Sequence, residues 1–464
     1  MQGVPQEVLQ RLRAHKQEHV LAGWDRLSDE EKQNLLSQLK AVDLPRLREL
    51  YSMRNQAMTM PPISHIKPVP MSRLDPNDKA TRQKGEEALH NGEVAVLMVA
   101  GGQGSRLGFD HPKGMYPVGP VSRRSLFQIH AEKVLALRRR YGRPIPFLVM
   151  TSPATDAETK VLFKEQAYFG LATEEVAFFQ QGTMPALDLE TGKLLMDAPG
   201  RLFLSPNGHG GTLTALKETG LLERLDKEGI RHFFYFQVDN PLVKIADPLF
   251  LGHHLTHAAE VSSKAIPKES PHDRLGNFVE LDGRCMIIEY SDLPESMAQM
   301  KDEKGQLRFR AGSPAIHWFE LDFLARVTHG QGRMPYHIAR KKVPHLDASG
   351  NLVHPAEENA LKFELFIFDA LPLADRWTVV ETSRNEEFAP LKNATGPDSP
   401  ETVRQALSDQ AADWLEKAGV KVPRGPEGNV TVPIEVSPLY ALDPEELAAK
   451  VNKALKITGP FCLA

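Results

Sequence analysis

The stretch from Val94 to Val118 constrains this chain more than any other. Its first part, Val94-Ala95-Val96-Leu97-Met98-Val99-Ala100, is an unbroken apolar run. Such a run predicts a strand buried on both faces, because helices cover both sides of a parallel sheet. The run breaks at Gly101, Gly102 and Gly104. Glycine lacks a Cβ, so the backbone there can take positive φ and approach a ligand closely. A glycine loop at the carboxyl end of a parallel strand lies where α/β sheets bind ligands. Its N–H groups can cradle phosphate oxygens, and Arg106 and Lys113 add positive charge beside them. A tight turn would account for the glycines, but not for the two basic side chains. Neither familiar phosphate loop is present. No Gly-x4-Gly-Lys-Ser/Thr run occurs, and Leu107 stands at the third glycine position of Gly-x-Gly-x-x-Gly.

The surrounding pattern extends this strand into a sheet. Ser125 to Tyr141 reads as a helix, with Phe127, Val134 and Leu137 on one stripe and Gly142 and Pro144 as its stop. Pro146 to Thr151 is the next buried strand, a helix follows, and Val176 to Gly182 is the third. Strand and helix in alternation predict a right-handed, mostly parallel α/β sheet. Before it, residues up to about Met60 read as helices. Ser28 to Glu31 is a capping box, Leu35, Leu36, Leu39 and Val42 follow at helical spacing, and Asp43 can cap a further helix. Prolines between Met60 and Pro70 mark an extended linker.

Three further segments carry candidate chemistry. Ser205 to Thr212 is a second glycine-rich turn, with Thr212 a candidate cap for a helix from Leu213 to Leu225. Such a helix start favours anions and polar ligand groups. The aromatic strand from His232 ends in Asp239-Asn240, a carboxylate placed to hold Mg²⁺ or to cap a turn. Gly276 to Leu281 and Cys285 to Tyr290 flank Asp282-Gly283-Arg284, a hairpin signal. His253 and His257 share a helical face, yet no Glu follows His253 as a zincin motif requires. His253, His254 and His257 are therefore read as packing or surface histidines.

Composition sets the outer bounds. A chain of 464 residues is too long for one compact core. A formal charge of −4 gives no general field for nucleic acid or membrane, and no apolar run is long enough to span a bilayer. Met1 to Pro5 lacks the regions of a signal peptide. Only Cys285 and Cys462 are present, so a disulfide framework is excluded and the cytoplasm is the expected compartment. No internal repeat appears.

Ala100-Gly101-Gly102-Gln103-Gly104-Ser105-Arg106-Leu107-Gly108, followed by Pro112-Lys113-Gly114-Met115-Tyr116, resembles the signature of the UDP-N-acetylglucosamine pyrophosphorylases. These belong to the wider UTP:sugar-1-phosphate uridylyltransferases. The resemblance runs in order from the N-terminal helices to about Leu442. It implies an α/β fold with a doubly wound, mostly parallel sheet: a nucleotidyltransferase core of the GT-A-like, Rossmannoid kind. The expected parts are an N-terminal helical region and linker (1–92), a catalytic domain (93–392) and a small C-terminal domain (393–464).

The resemblance also implies roles. Val99, Ala100, Gly101, Gly102 and Gly104 would meet the nucleotide, with Arg106 and Lys113 neutralising its triphosphate. Gln181 and Gly208 would read uracil, Lys362 would bind UTP, and Asp239 would hold Mg²⁺. Gly276, Glu289, Tyr290, Phe366 and Phe368 would shape the sugar pocket, and Lys392 would hold the sugar phosphate. His209 and Ser313 stand where the acetylglucosamine branch has asparagines that meet the sugar. The implied reaction is UTP plus a sugar 1-phosphate giving UDP-sugar and pyrophosphate, with N-acetylglucosamine 1-phosphate favoured. The two departures keep a UDP-glucose or broad UDP-sugar pyrophosphorylase as the alternative. A non-catalytic UDP-sugar binding protein is the alternative from another class.

Overall fold

The computed structural model describes residues 3–55, 62–328 and 334–464. The chain forms two compact units that interleave along the sequence. One comprises Met1–Ile63, Gln181–Thr214 and Met334–Asp369; the other comprises Ser64–Gln180, Ala215–Arg333 and Ala370–Ala464. The three consecutive spans set from sequence therefore differ from the packing. The N-terminal helices share a core with two distant segments, and residues 393–464 belong to the same unit as the large sheet.

In the first unit, helices Gln6–Ala14, Asp29–Ala41 and Leu44–Met53 turn Val8, Leu12, Leu35, Leu39, Leu47 and Leu50 inward. These pack with Leu187, Leu194, Leu202, Leu361 and Phe363. Each buried leucine contributes about 1.5–3 kcal/mol. The expected capping box is present: Glu31 N–H donates to Ser28 Oγ at 3.3 Å, and Ser28 N–H donates to Glu31 Oε2 at 2.7 Å. Asp43 caps the third helix by accepting from Arg46 N–H at 2.9 Å. The strand Ala360–Glu364 pairs antiparallel with His337–Lys341 on one side and Leu187–Asp188 on the other. The helices thus bury one face of the strand that carries Lys362.

The second unit is built on a mixed sheet. Its central block of parallel strands runs Val176–Gln180, Phe147–Thr151, Val94–Val99, His232–Gln237. The antiparallel His317–Glu320 follows, then Val261–Pro267, which pairs in parallel with Trp377–Glu381. The hairpin Asn277–Leu281 and Arg284–Ile288 extends the far side, turning at Asp282 (φ 48°) and Gly283 (φ 81°). The Val94 strand lies between the Phe147 and His232 strands, so chain order reverses there. This is the topological switch point of a doubly wound sheet, the place where such sheets open a ligand crevice. Helix Leu126–Tyr141 makes the first crossover. Ser125 caps it, accepting from Gln128 N–H at 3.2 Å, and Gly142 ends it at φ 66°.

Three local expectations are corrected. Met60 and Pro61 of the expected linker lie outside the described residues, but Ile66–Pro68 is an edge strand paired with Val279 to Leu281. The helix expected from Leu213 to Leu225 is two, Gly211–Glu218 and Leu221–Lys227, broken at Gly220 with φ 70°. Thr212 therefore lies inside a helix and does not cap one. Helices Lys79–Asn91 and Pro248–Thr256 also cross with their backbones touching. A Cβ on Gly85 would lie 1.9 Å from Pro248 O, and one on Gly252 would lie 1.7 Å from Thr81 O. Nothing in the local pattern announces this pairing.

Beyond Asn393, Ser399 caps the helix Pro400–Lys417, and Ile434–Val436 pairs in parallel with Phe461–Leu463. Ala412, Leu415, Ile434 and Leu447 form the core of this C-terminal part. Cys285 and Cys462 are both free thiols. Among the described residues no helix is long and apolar enough to cross a membrane.

Candidate active site

The glycine loop leaves the Val94 strand at the switch point. Ala100 N–H still donates to Met150 O at 2.8 Å, so the sheet holds the loop at its base. Gly104 N–H donates to His111 O at 2.9 Å, and Lys113 N–H donates to Gly102 O at 3.0 Å. These two bonds close the loop into a flat hairpin. A Cβ on Gly104 would sit 2.7 Å from Phe109 O, so glycine is needed for closure there. Gly102 has open space around it instead. Among the described residues no partner is found for the N–H groups of Gly101 and Gly102. Leu107, at the position where the dinucleotide fingerprint wants glycine, packs into the main core, the cluster that also holds Phe127 and Val118. Arg106 is exposed, and among the described residues it has no ion-pair partner.

Asp239 follows the adjacent parallel strand. Register pairs Gln237 with Val99, and Val238 N–H donates to Val99 O at 3.0 Å. The loop and the carboxylate therefore leave neighbouring strand ends side by side. Lys113 Nζ lies 3.3 Å from Asp239 Oδ2, with side-chain exposures of 20% and 12%. Asn240 next to it grips a distant segment. Its Nδ2 donates to Glu387 O at 2.7 Å, and its Oδ1 accepts from Ala389 N–H at 3.1 Å. Leu391 N–H donates to Asp239 O at 2.8 Å. Lys392, the next residue, is thereby held beside Asp239 by backbone bonds. Its ammonium lies 5.6 Å over the Phe388 ring. Lys113, Asp239 and the backbone that carries Lys392 thus come together in one unit, and Arg106 follows on the glycine loop of the same unit.

Behind this turn sits His130, which no sequence signal pointed to. Its Nε2–H donates to Val238 O at 2.9 Å, and its ring meets Phe236 edge-on at 4.8 Å. Burial, reinforced by the nearby Lys133 ammonium, pushes its pKa down to about 3, against the raising effect of the Val238 bond. Lys133 donates to Pro241 O at 2.5 Å and Val243 O at 2.8 Å, and burial lowers its pKa to about 7. Both side chains fasten the backbone on which Asp239 stands.

On the antiparallel side of the same unit, Ser313 N–H donates to Gly276 O at 2.9 Å. A Cβ on Gly276 would lie 3.5 Å from Glu289 Oε1, so Gly276, Glu289 and Ser313 come together. Tyr290, the fourth residue expected here, is 47% exposed. Asn277, beside them and buried, accepts from Lys268 Nζ at 2.8 Å; burial lowers the Lys268 pKa.

In the first unit the turn after Asn207 is zipped to the segment after Lys362. Leu365 N–H donates to Asn207 O at 2.7 Å, and Gly210 N–H returns to Leu365 O at 2.8 Å. Gly208 (φ 84°) has no room for a side chain, since a Cβ would meet Leu365 O at 2.4 Å. His209 stacks on Phe366 with ring centroids 5.3 Å apart and lies 5.9 Å from Phe368. Its Nδ1 accepts from Ile367 N–H at 3.2 Å, which places the ring proton on Nε2. Burial first, and then His337, lower its pKa to about 4, so it is neutral near pH 7. His337 and Asp369 were missed from sequence. His337 Nε2 lies 2.8 Å from Asp369 Oδ2, and its ring centroid is 4.3 Å from that of Phe366. Residues 32 positions apart leave no periodic trace when they pair. Gln181 is buried in this unit. Lys362 lies 5.0 Å over the Phe203 ring, its pKa lowered by burial.

Asp239 is the residue here that could hold a magnesium ion. Mg²⁺ keeps several waters and takes one or two carboxylates rather than a full protein cage. Among the described residues Asp239 belongs to no group of three or more metal-ligating side chains. It is a single carboxylate just past a strand end, its side chain 12% exposed and its Oδ2 facing the Lys113 ammonium.

Residues 46–410 match the pattern of the UTP–glucose-1-phosphate uridylyltransferase family. The chain is 38% identical over 467 residues to UDP-N-acetylglucosamine pyrophosphorylase of Saccharomyces cerevisiae, covering 96% of each. It is 37% identical to UDP-N-acetylglucosamine diphosphorylase 2 of Arabidopsis thaliana, over 96% of this chain and 91% of that one. Among solved structures it is similar to the uridine diphosphate N-acetylglucosamine pyrophosphorylase of Trypanosoma brucei. The TM-score is 0.81 at 29% identity, covering 97% of this chain and 95% of the other.

Proposed function

Because the chain belongs to the UTP–glucose-1-phosphate uridylyltransferase family, we propose that it transfers UMP from UTP to N-acetylglucosamine 1-phosphate, giving UDP-N-acetylglucosamine and pyrophosphate. The observation that carries this is the Lys113 ammonium 3.3 Å from the Asp239 carboxylate, at adjacent strand ends beside the glycine loop. An oxygen of the sugar phosphate attacks the α-phosphorus of UTP in line. One P–O bond forms as the bond to the β-phosphate bridge breaks, and pyrophosphate leaves with the electron pair. A phosphate oxyanion is already a nucleophile, so no general base is needed. Catalysis is then positioning and charge stabilisation. Gly101 and Gly102 N–H groups, Arg106 and Lys113 meet the triphosphate, and Lys392 orients the attacking phosphate. Asp239 would hold Mg²⁺, which when bound supplies further neutralisation of phosphate charge. Gln181, Gly208 and Lys362 are assigned to the UTP uracil and phosphates, and Gly276, Glu289, Tyr290, Phe366 and Phe368 to the sugar.

One observation favours a second reading of the sugar. With Nδ1 engaged by Ile367 N–H, neutral His209 presents only a donor at Nε2. Asparagine in its place would present both a donor and an acceptor. Ser313 is shorter than asparagine as well. A site that hydrogen-bonds a substrate group rejects analogues lacking it, and losing that contact relaxes discrimination. The expected enzyme therefore prefers the acetylated sugar but also turns over glucose and galactose 1-phosphate. Pyrophosphate release from UTP with each of the three sugars, in the parent and in His209→Asn, tests both readings. Release with none of them refutes the uridylyltransferase reading. Release with the acetylated sugar alone refutes relaxed selectivity.

A further inference from the structure

We propose that His232, His254 and Glu320 form a binding site for a divalent transition-metal ion, zinc foremost, at the end of the sheet remote from Asp239. The three side chains come from three elements. His232 opens a parallel strand, Glu320 closes the antiparallel strand beside it, and register pairs these two residues directly. His254 reaches them from helix Pro248–Thr256. Their ligand atoms all lie within 4.8 Å of one another. His232 Nδ1 and His254 Nε2 each lie 2.6 Å from the same oxygen, Glu320 Oε1. The strand that begins at His232 runs for about 20 Å before Asp239, so this cluster is separate from the proposed active site.

The chemistry of the donors selects the ion. Two imidazoles and one carboxylate suit zinc and its transition-metal neighbours, whereas magnesium prefers oxygen ligands alone. His254 also has the outer partner that metal-bound imidazoles use. Its Nδ1 lies 2.7 Å from Ser262 Oγ, which accepts from Thr378 Oγ1 at 2.8 Å. Such a contact fixes the ring and its tautomer. On binding, the protons facing Glu320 move to the opposite ring nitrogens. His254 then donates through Nδ1 to Ser262, and both rings stay neutral. Tetrahedral zinc needs its donors about 3.4 Å apart, so Glu320 must draw back from its present hydrogen bonds. Its side chain, 27% exposed, has solvent to move into, and that side offers a fourth ligand position to water. His253 and His257, which share a helix face, take no part: His257 Nδ1 bonds His253 O at 2.9 Å.

The test is binding to the full chain, independent of turnover. Chelator-stripped protein is titrated with Zn²⁺ by calorimetry and with Co²⁺ by visible absorption. One ion per chain is expected, with Co²⁺ bands of a nitrogen–oxygen site and no thiolate charge-transfer band. Excess Mg²⁺ should not displace it. Glu320→Gln, which keeps shape and removes the charge, should abolish the titration, and Ser262→Ala should weaken it about 10–100-fold. His232→Ala, at the first position of its strand, is the second ligand variant should Glu320→Gln fail to fold. No ion bound by the parent, unchanged binding in the folded ligand variant, or a thiolate band each overturns the proposal.

Discussion

His130 should make this protein acid-sensitive by a defined amount. Its ring is fully buried, and the single bond of its Nε2–H to Val238 O, 2.9 Å long, leaves Nδ1 without a partner among the described residues. Protonation would place a charged N–H in the core with no acceptor and with Lys133 nearby. Burial therefore holds the folded pKa at about 3, while in the unfolded chain the imidazole keeps its ordinary value of 6.5. The sign follows from proton binding. Between these values the unfolded state holds one more proton than the folded state, so stability falls as pH falls. From pH 7 to pH 5 the loss from this one group is about 2 kcal/mol. That figure does not depend on the folded value as long as it stays well below 5. His209 and His253, both lowered to about 4, add losses of their own, so the parent's pH dependence alone cannot identify His130. The comparison uses His130→Gln, whose amide can reach Val238 O and does not titrate. Urea unfolding of both proteins at pH 7 and pH 5, followed by circular dichroism, gives the double difference. The parent should lose about 2 kcal/mol more than the variant between the two pH values. Equal losses in the two proteins would refute the buried neutral imidazole.

Lys113→Ala should lower turnover with UTP by about 10²–10³-fold while the protein stays folded, because it removes one preorganised cation. Near-normal turnover at saturating UTP would remove the role. Asp239→Ala should abolish magnesium-dependent activity, since a methyl group cannot hold the ion. A variant that keeps the parent's rate and magnesium response would make Asp239 structural. UTP should be strongly preferred over ATP, because a site that pairs with the uracil edge leaves buried polar groups unpaired with adenine. Equal turnover of the two nucleotides contradicts the assignment of Gln181 and Gly208 to the base.

The parts legible in sequence were those with a local signal. The apolar run of Val94 to Val99 and the glycines after it marked a strand and its loop within a few residues, because burial and close backbone approach act on neighbours in the chain. The glycine at 104 is required by the approach of Phe109 O, and none of Gly101, Gly102 and Gly104 takes the positive φ that glycine permits. The capping box at Ser28 and the hairpin turn at Asp282-Gly283 were legible for the same reason. What escaped was non-local. The helix expected through Leu225 broke because Gly220 adopts φ 70°, a choice that an amphipathic pattern does not record. Prolines near Pro68 suggested a linker, yet Ile66–Pro68 pairs with Val279 to Leu281, as an edge position tolerates proline. The domain spans followed chain order, whereas Leu12, Leu35 and Leu47 share a core with Leu187 and Phe363.

The same distinction explains how the site is held. Its charges were legible as residue types, but their placement comes from backbone bonds that no motif encodes. Val238 N–H bonds Val99 O, His130 bonds Val238 O, and Asn240 clamps Glu387 O and Ala389 N–H. Lys392, over 150 residues from Asp239 in sequence, is positioned by the Leu391 N–H bond to Asp239 O. A carboxylate and an ammonium held this way are fixed before substrate arrives, and little reorganisation is left for the reaction itself. Removing the Asn240 amide should therefore disturb the Lys392 segment without touching a charge. That separates the two roles proposed for the turn, in which Asp239 would supply the anion while Asn240 holds the backbone.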